Sequence, residues 1–177
     1  MAKAAQREAF EIRRATAYDA GCLAAFWRDR FAATFGPIYP PEDLTAYLAA
    51  AYDPATITAE ITDAGFNHHL AERTGALQGA LKTGRVGLPL PDTEGLWEVH
   101  RLYLAPEAFG TGLADALMDI ARAEARGLGA KALVLGVYSA NHRAQRFYAR
   151  HGFERIGGYQ FPVGRTLDDE WIMQAAL

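Results

Sequence analysis

From Phe10 to Thr16 apolar and polar side chains alternate, the period of a half-buried strand, and Thr16 with Asp19 then offers helix-capping groups. The period lengthens at once. Leu23, Phe26, Trp27, Phe31 and Phe35 recur at three- and four-residue steps, predicting a helix with an aromatic face that Gly36-Pro37 ends. Pro40-Pro41 before Glu42-Asp43 starts a second helix, with Leu44, Tyr47, Leu48 and Ala51 on one side. Asp53-Pro54 starts a third, running to about residue 63. Residues 66–72 and 77–83 flank Arg73-Thr74-Gly75-Ala76 and read as an antiparallel hairpin. Residues 84–95 hold three glycines and two prolines, and a loop of that length in a compact domain is expected to border a site. A strand over 97–104 follows. Gly110-Thr111-Gly112 then opens a helix whose buried side is Leu113, Leu117, Ile120 and Ala121, with Gly127 and Gly129 at its end. Residues 132–138 are nearly all apolar, as in a strand covered on both faces. Asn141 caps one more helix, ending at His151-Gly152, and strands at about 153–161 and 170–176 complete the chain. The order predicts a single α/β domain over residues 1–177, one mixed sheet with helices on both faces.

Composition narrows the class. With 177 residues the chain buries about 70% of the surface its unfolded form exposes, enough for a core without disulfides or metal. The lone Cys22 excludes a disulfide framework and a cysteine-cluster zinc site, suits a reducing compartment, and is expected to be a buried thiol. Residues 1–8 lack the apolar stretch of a secretory signal and no long apolar run spans a membrane, so the expected location is the cytoplasm. A net charge of −3 without a lysine/arginine run argues against a nucleic-acid partner. His68 and His69 are adjacent on a strand and so face opposite ways, which argues against a metal site.

The segment from Leu104 to Ala114 places two glycines between a strand and a helix N-terminus. Unpaired amides and the positive end of the helix dipole favour an anion there. A plain helix-starting loop is the competing reading. A dinucleotide fingerprint fits poorly, because Asp115 stands where its third glycine belongs, and no Gly-Lys-Ser/Thr occurs. About thirty residues on, Asn141-His-Arg-Ala-Gln-Arg-Phe-Tyr-Ala-Arg-His-Gly-Phe gives N-x-x-A-x-x-F-Y-x-x-x-G-F. This resembles the second conserved block of the GNAT N-acetyltransferase superfamily, and the glycine segment resembles that family's acetyl-CoA pyrophosphate loop. The order of the other elements extends the resemblance over essentially the whole chain. Thr34 to Leu44 and the Glu98-Val-His-Arg-Leu-Tyr-Leu strand are similar to the diamine and polyamine branch.

The resemblance implies a mostly antiparallel sheet, acetyl-CoA as acetyl donor, no metal, and direct transfer to a small-molecule amine within a ternary complex. A polyamine is the tentative acceptor, and a protein lysine or N-terminus is a further option. On the cofactor side it assigns Leu102, Tyr103 and Leu104, the loop Phe109, Gly110, Thr111, Gly112, Leu113 and Ala114, and Asn141, Ala144 and Phe147. The strand backbone would meet the pantetheine arm and an amide near Leu104 would polarise the thioester carbonyl. Asn141 also reads as a simple helix cap, and Phe147 as a packed aromatic. Phe109 departs from the family's arginine or glutamine, so a side-chain partner for phosphate is missing. Tyr148 is the expected general acid and Glu98 the expected base, with His100 two residues on as its rival. Both also read as polar groups paired with arginines such as Arg101. Phe35 and Tyr39, at the break between helices, are placed near the acceptor. Two expectations stay open: a homodimer through the last strands, and, as the alternative function, a catalytically weak acyl-CoA-binding module with a regulatory or interaction role.

Overall fold

The computed structural model describes residues 9–177, so the reading of residues 1–8 as free of a secretory signal lies outside it. In chain order the elements are β1 (Glu11–Arg14), α1 (Ala20–Phe35), α2 (Pro41–Ala51), α3 (Pro54–Thr62), β2 (Phe66–Arg73), β3 (Ala76–Gly84) and β4 (Leu96–Leu104). Then come α4 (Leu113–Gly127), β5 (Ala132–Tyr138), α5 (His142–Arg150), β6 (Glu154–Val163) and β7 (Thr166–Ala176). The strands form one seven-stranded sheet in the order β1-β2-β3-β4-β5-β7-β6. Every pairing is antiparallel except β4 with β5.

Side-chain periodicity decides which helix covers which face. Ala20, Leu23, Ala24, Trp27 and Phe31 are the buried stripe of α1, and with Ile57 of α3 they meet Leu70 and Ala80 on one side of the sheet. Leu113, Leu117, Met118, Ala121 and Ala125 are the stripe of α4 and meet Leu81, Val99, Leu133 and Leu135 on the other. Buried alanines let α4 approach the sheet closely, which suits an alanine-rich chain. Helix starts follow the expected chemistry: Asp53 accepts the Thr56 amide at 3.0 Å and Asn141 the Ala144 amide at 3.1 Å.

Two expectations need correction. The last two strands are longer than their patterns suggest and form one hairpin, because Asp43 of α2 accepts the Arg165 amide and pairs with its guanidinium, both at 3.2 Å, which fixes the turn. Cys22 is exposed. It precedes Leu23 by one residue, so when Leu23 points to the core its thiol points outward, donating to the Asp19 carbonyl at 3.1 Å. Among the described residues no helix is long and apolar enough to cross a membrane.

Candidate active site

The parallel ladder between β4 and β5 has only three pairs, Leu96 with Ala132, Trp97 with Leu133 and Glu98 with Val134. Beyond Glu98 the strands part: β4 continues along β3, and β5 stays with β7 to Tyr138. A bulge sharpens the divergence. Lys82 opposes Arg101 and Thr83 opposes Val99, so His100 is the extra residue, and it joins Arg101 on the face that carries Glu98. The sequence reading reached the same face by alternation alone. The gap opens into a cleft of about 910 Å³.

One end of the cleft is the turn into α4. Gly110 has φ +71° and Gly112, the residue before the helix, φ +87°, both in the left-handed region that favours glycine, and space beside each is open. Leu113 is buried and Ala108 is fully covered, so the loop is fixed from below while Gly110, Gly112 and Ala114 line the cleft. Thr111 turns back, its hydroxyl donating to the Ala108 carbonyl at 2.6 Å. Phe109 is 42% exposed, and the guanidinium carbon of Arg143 lies 3.8 Å from its ring centroid. Leu102 and Leu104 pack under α4 while Tyr103 packs on the opposite face, and all three line the gap. From α5, Asn141, Ala144 and Phe147 line it as well. The Asn141 cap uses the side-chain oxygen, and Phe147 packs against the core from the rim.

Tyr148 sits between Phe147 and Phe153, at centroid distances of 5.4 and 5.7 Å. Burial, and then the charge of Glu170, pushes its hydroxyl up to about 12, so it stays protonated at neutral pH.

The other end of the cleft carries carboxylates and phenols. Glu98 Oε2 accepts the amides of Gly87 and Leu88 at 2.7 and 3.2 Å, so the 85–95 loop does border the site. His100 Nδ1 is 3.0 Å from Glu98 Oε1, and its Nε2 is 3.0 Å from the Arg85 carbonyl. Both nitrogens therefore lie against protein oxygens, Nε2 in a hydrogen bond and Nδ1 in an ion-pair contact. A carboxylate has about four acceptor positions; hydrogen bonds fill two on Glu98, both at Oε2, and His100 Nδ1 stands in ionic contact with Oε1. Arg101 does not pair with Glu98. With Lys82 it turns to Glu60 of α3, at 3.8 and 2.6 Å; burial alone would raise that carboxyl, yet His68, Lys82 and Arg101 hold it at about 2.

The pattern did not single out Asp168 and Glu170. They alternate on β7 and line the cleft, Asp168 accepting a hydrogen bond from Tyr39, and Glu170 one from Tyr159 at 2.8 Å. Room for the second pair comes from Gly136, where a Cβ would stand 2.7 Å from the Tyr159 hydroxyl and 2.8 Å from Glu170 Oε2. Phe35 meets Tyr138 edge-on at 6.0 Å across the same end, beside Tyr47. His68 and His69 do face opposite sides of the sheet, towards Glu60 and Glu124 respectively.

Residues 20–153 match the model of the acetyltransferase (GNAT) family. An uncharacterised N-acetyltransferase of Mycobacterium tuberculosis is 32% identical over 158 residues, 88% of this chain and 96% of the relative. One from Lactobacillus delbrueckii subsp. lactis is 29% identical over 155 residues, 86% of this chain and 89% of the relative. In fold, the PaiA N-acetyltransferase of Thermoplasma acidophilum, solved in complex with coenzyme A, superposes with a TM-score of 0.79 at 21% identity, covering 96% of this chain and 100% of that one.

Proposed function

The chain belongs to the acetyltransferase (GNAT) family, and from that premise we propose that it moves an acetyl group from acetyl-CoA to a cationic primary amine, a small amine or polyamine, in a ternary complex. As an acetyltransferase it is more than the acyl-CoA-binding module that was the alternative reading. One observation carries the proposal: a single cleft, opened where β4 leaves β5, runs from an anion-favouring turn to a cation-favouring wall. The residues fit the cofactor, since Gly110 and Gly112 leave the loop surface open and β4 beyond Glu98 has no strand on its β5 side. When bound, acetyl-CoA supplies an activated thioester.

The amides of residues 110–114 and the α4 dipole hold the diphosphate. Leu102 and Leu104 offer backbone groups to the pantetheine arm, and an amide near Leu104 polarises the thioester carbonyl. Asp168 and Glu170, with Tyr39 and Tyr159, hold the acceptor's positive charge, and Phe35 walls its carbon chain. Glu98 takes the ammonium proton at Oε1, which accepts no hydrogen bond from the described residues, and this frees the nitrogen lone pair to attack. His100, with Nδ1 against Glu98 Oε1 and Nε2 on the Arg85 carbonyl, holds Glu98 in place. As the new C–N bond forms and the C–S bond breaks, Tyr148 gives its proton to the departing sulfur and recovers one from the acylated nitrogen.

The test is thiol release on incubation with acetyl-CoA and an amine panel, with products read by mass shift. Diamines and polyamines should turn over fastest, then monoamines, with amino acids that carry a free carboxylate last. No release above the no-amine control overturns the acetylation reading, and preference for anionic acceptors overturns the assignment of the acidic wall.

A further inference from the structure

The anion-favouring turn has a partial positive charge and no cation of its own. The α4 dipole amounts to about half a charge, Phe109 contributes none, and Asp115 in the first turn of α4 adds a negative one. His151 Nε2 meets Asp115 at 2.9 Å, so that ring is engaged with the carboxylate and not with the turn. A diphosphate therefore needs a positive side chain from another element.

Arg143 meets the need. It is the second residue of α5, its guanidinium carbon lies 3.8 Å from the Phe109 ring centroid, and it lines the cleft together with Gly110. Among the described residues it makes no hydrogen bond or ion pair, so its five N–H donors are unspent; of the other arginines lining the cleft, Arg101 is committed to Glu60, and none but Arg143 meets Phe109. An aromatic platform narrows the freedom of a long side chain before a ligand arrives, and a planar guanidinium suits phosphate oxygens two at a time.

We propose that Arg143, pre-positioned on Phe109, is the cation that closes the diphosphate site of coenzyme A. Phe109 is then a platform, and the guanidinium missing from the loop itself is returned from α5. The proposal rests on the reading of the cleft as a coenzyme A site.

Calorimetric titration of coenzyme A and of dephospho-coenzyme A, which keeps the diphosphate but lacks the 3′-phosphate, tests it on the wild type, Arg143→Ala, Arg143→Lys and Phe109→Ala. Arg143→Ala should weaken both ligands alike by about tenfold or more, the scale of one charge-assisted contact, and leave the ligand-free melting temperature unchanged. Arg143→Lys and Phe109→Ala, each keeping half of the device, should lose about threefold. In turnover assays Arg143→Ala should raise the acetyl-CoA KM and spare kcat. Wild-type binding with Arg143→Ala within about twofold of it overturns this inference alone, as does a loss confined to coenzyme A, which would move the contact to the 3′-phosphate. Absence of binding by the wild type overturns the reading of the cleft along with it.

Discussion

Replacing Glu98 with glutamine keeps the shape of the side chain and removes its charge. The glutamine oxygen can still accept from Gly87 and Leu88, while its NH2 turns to His100. His100 keeps its contact with the Arg85 carbonyl through Nε2, so no buried group is stranded. The structural loss is the charge behind two amide hydrogen bonds and one ion-pair contact, about 1.5–3 kcal/mol. In a chain of this length each kcal/mol shifts Tm by about 2–4 °C, so Tm should fall by roughly 3–12 °C and the protein should stay folded. The catalytic loss is larger. A positioned base contributes about 10²–10⁴ in rate, so kcat for the best amine should drop at least about 100-fold. Acetyl-CoA affinity should hold, because Glu98 touches none of the loop at 110–114. The assay is initial-rate thiol release from about pH 6 to about pH 9, beside calorimetry with acetyl-CoA. A rate within about threefold of wild type, with the acid limb of the profile intact, refutes the assignment and directs the search to Glu170 and Asp168, the carboxylates of the acidic wall.

Two further outcomes follow from the same wall. Tyr148→Phe deletes the proton donor and little else, so kcat should fall about 100-fold with acetyl-CoA binding unchanged, and an unaltered kcat would leave Tyr148 a packing residue. Glu170 tests linkage: burial, with the charges of Asp168 and Glu98, raises its carboxyl from 4.5 against the lowering effect of the Tyr159 hydroxyl. The folded state thus binds more protons than the unfolded one above pH 4.5, and stability is lost as pH rises through that window. Glu170→Gln should therefore raise Tm at neutral pH, with the gain vanishing towards pH 4.5, and a Tm difference independent of pH contradicts the raised carboxyl.

The elements were legible because each has a one-dimensional cause. The Leu23-Trp27-Phe31 spacing, the caps Asp53 and Asn141 and the glycines before α4 all act within a few residues of themselves. The glycine turn before α4 was legible for the same reason, since it is one continuous segment. The acidic end of the cleft was not. Asp168 and Glu170 gain meaning only beside Tyr39, Tyr159 and Gly136, which lie on other elements, and Leu167-Asp168-Asp169-Glu170 shows too little alternation to be read as strand. A two-residue acidic spacing opposite aromatic residues of the preceding strand was the available signal. The bulge at His100 left no mark in the residues of β4 at all, because it is a property of register between two strands. Cys22 was misread because burial was assigned by residue type, and helix phase overrode it.

The two ends of the cleft explain one another electrostatically. Arg143, Arg146 and Arg150, spaced three and four apart on α5, stand at one end with the α4 N-terminus, and Glu98, Asp168 and Glu170 stand at the other. A ligand with phosphates at one extremity and an uncharged thioester at the other enters such a field in one orientation only, because the reverse sets phosphate against carboxylate. A cationic amine is driven the opposite way, to the acidic wall. On the proposed reading the two meet between these ends, at the parting of β4 from β5. That parting leaves backbone groups of β4 facing the cleft, and an arm carrying amides replaces the water they would otherwise need. Opening the sheet at Glu98 thus supplies the room, the orientation and the unpaired backbone together, and a longer parallel ladder would remove all three.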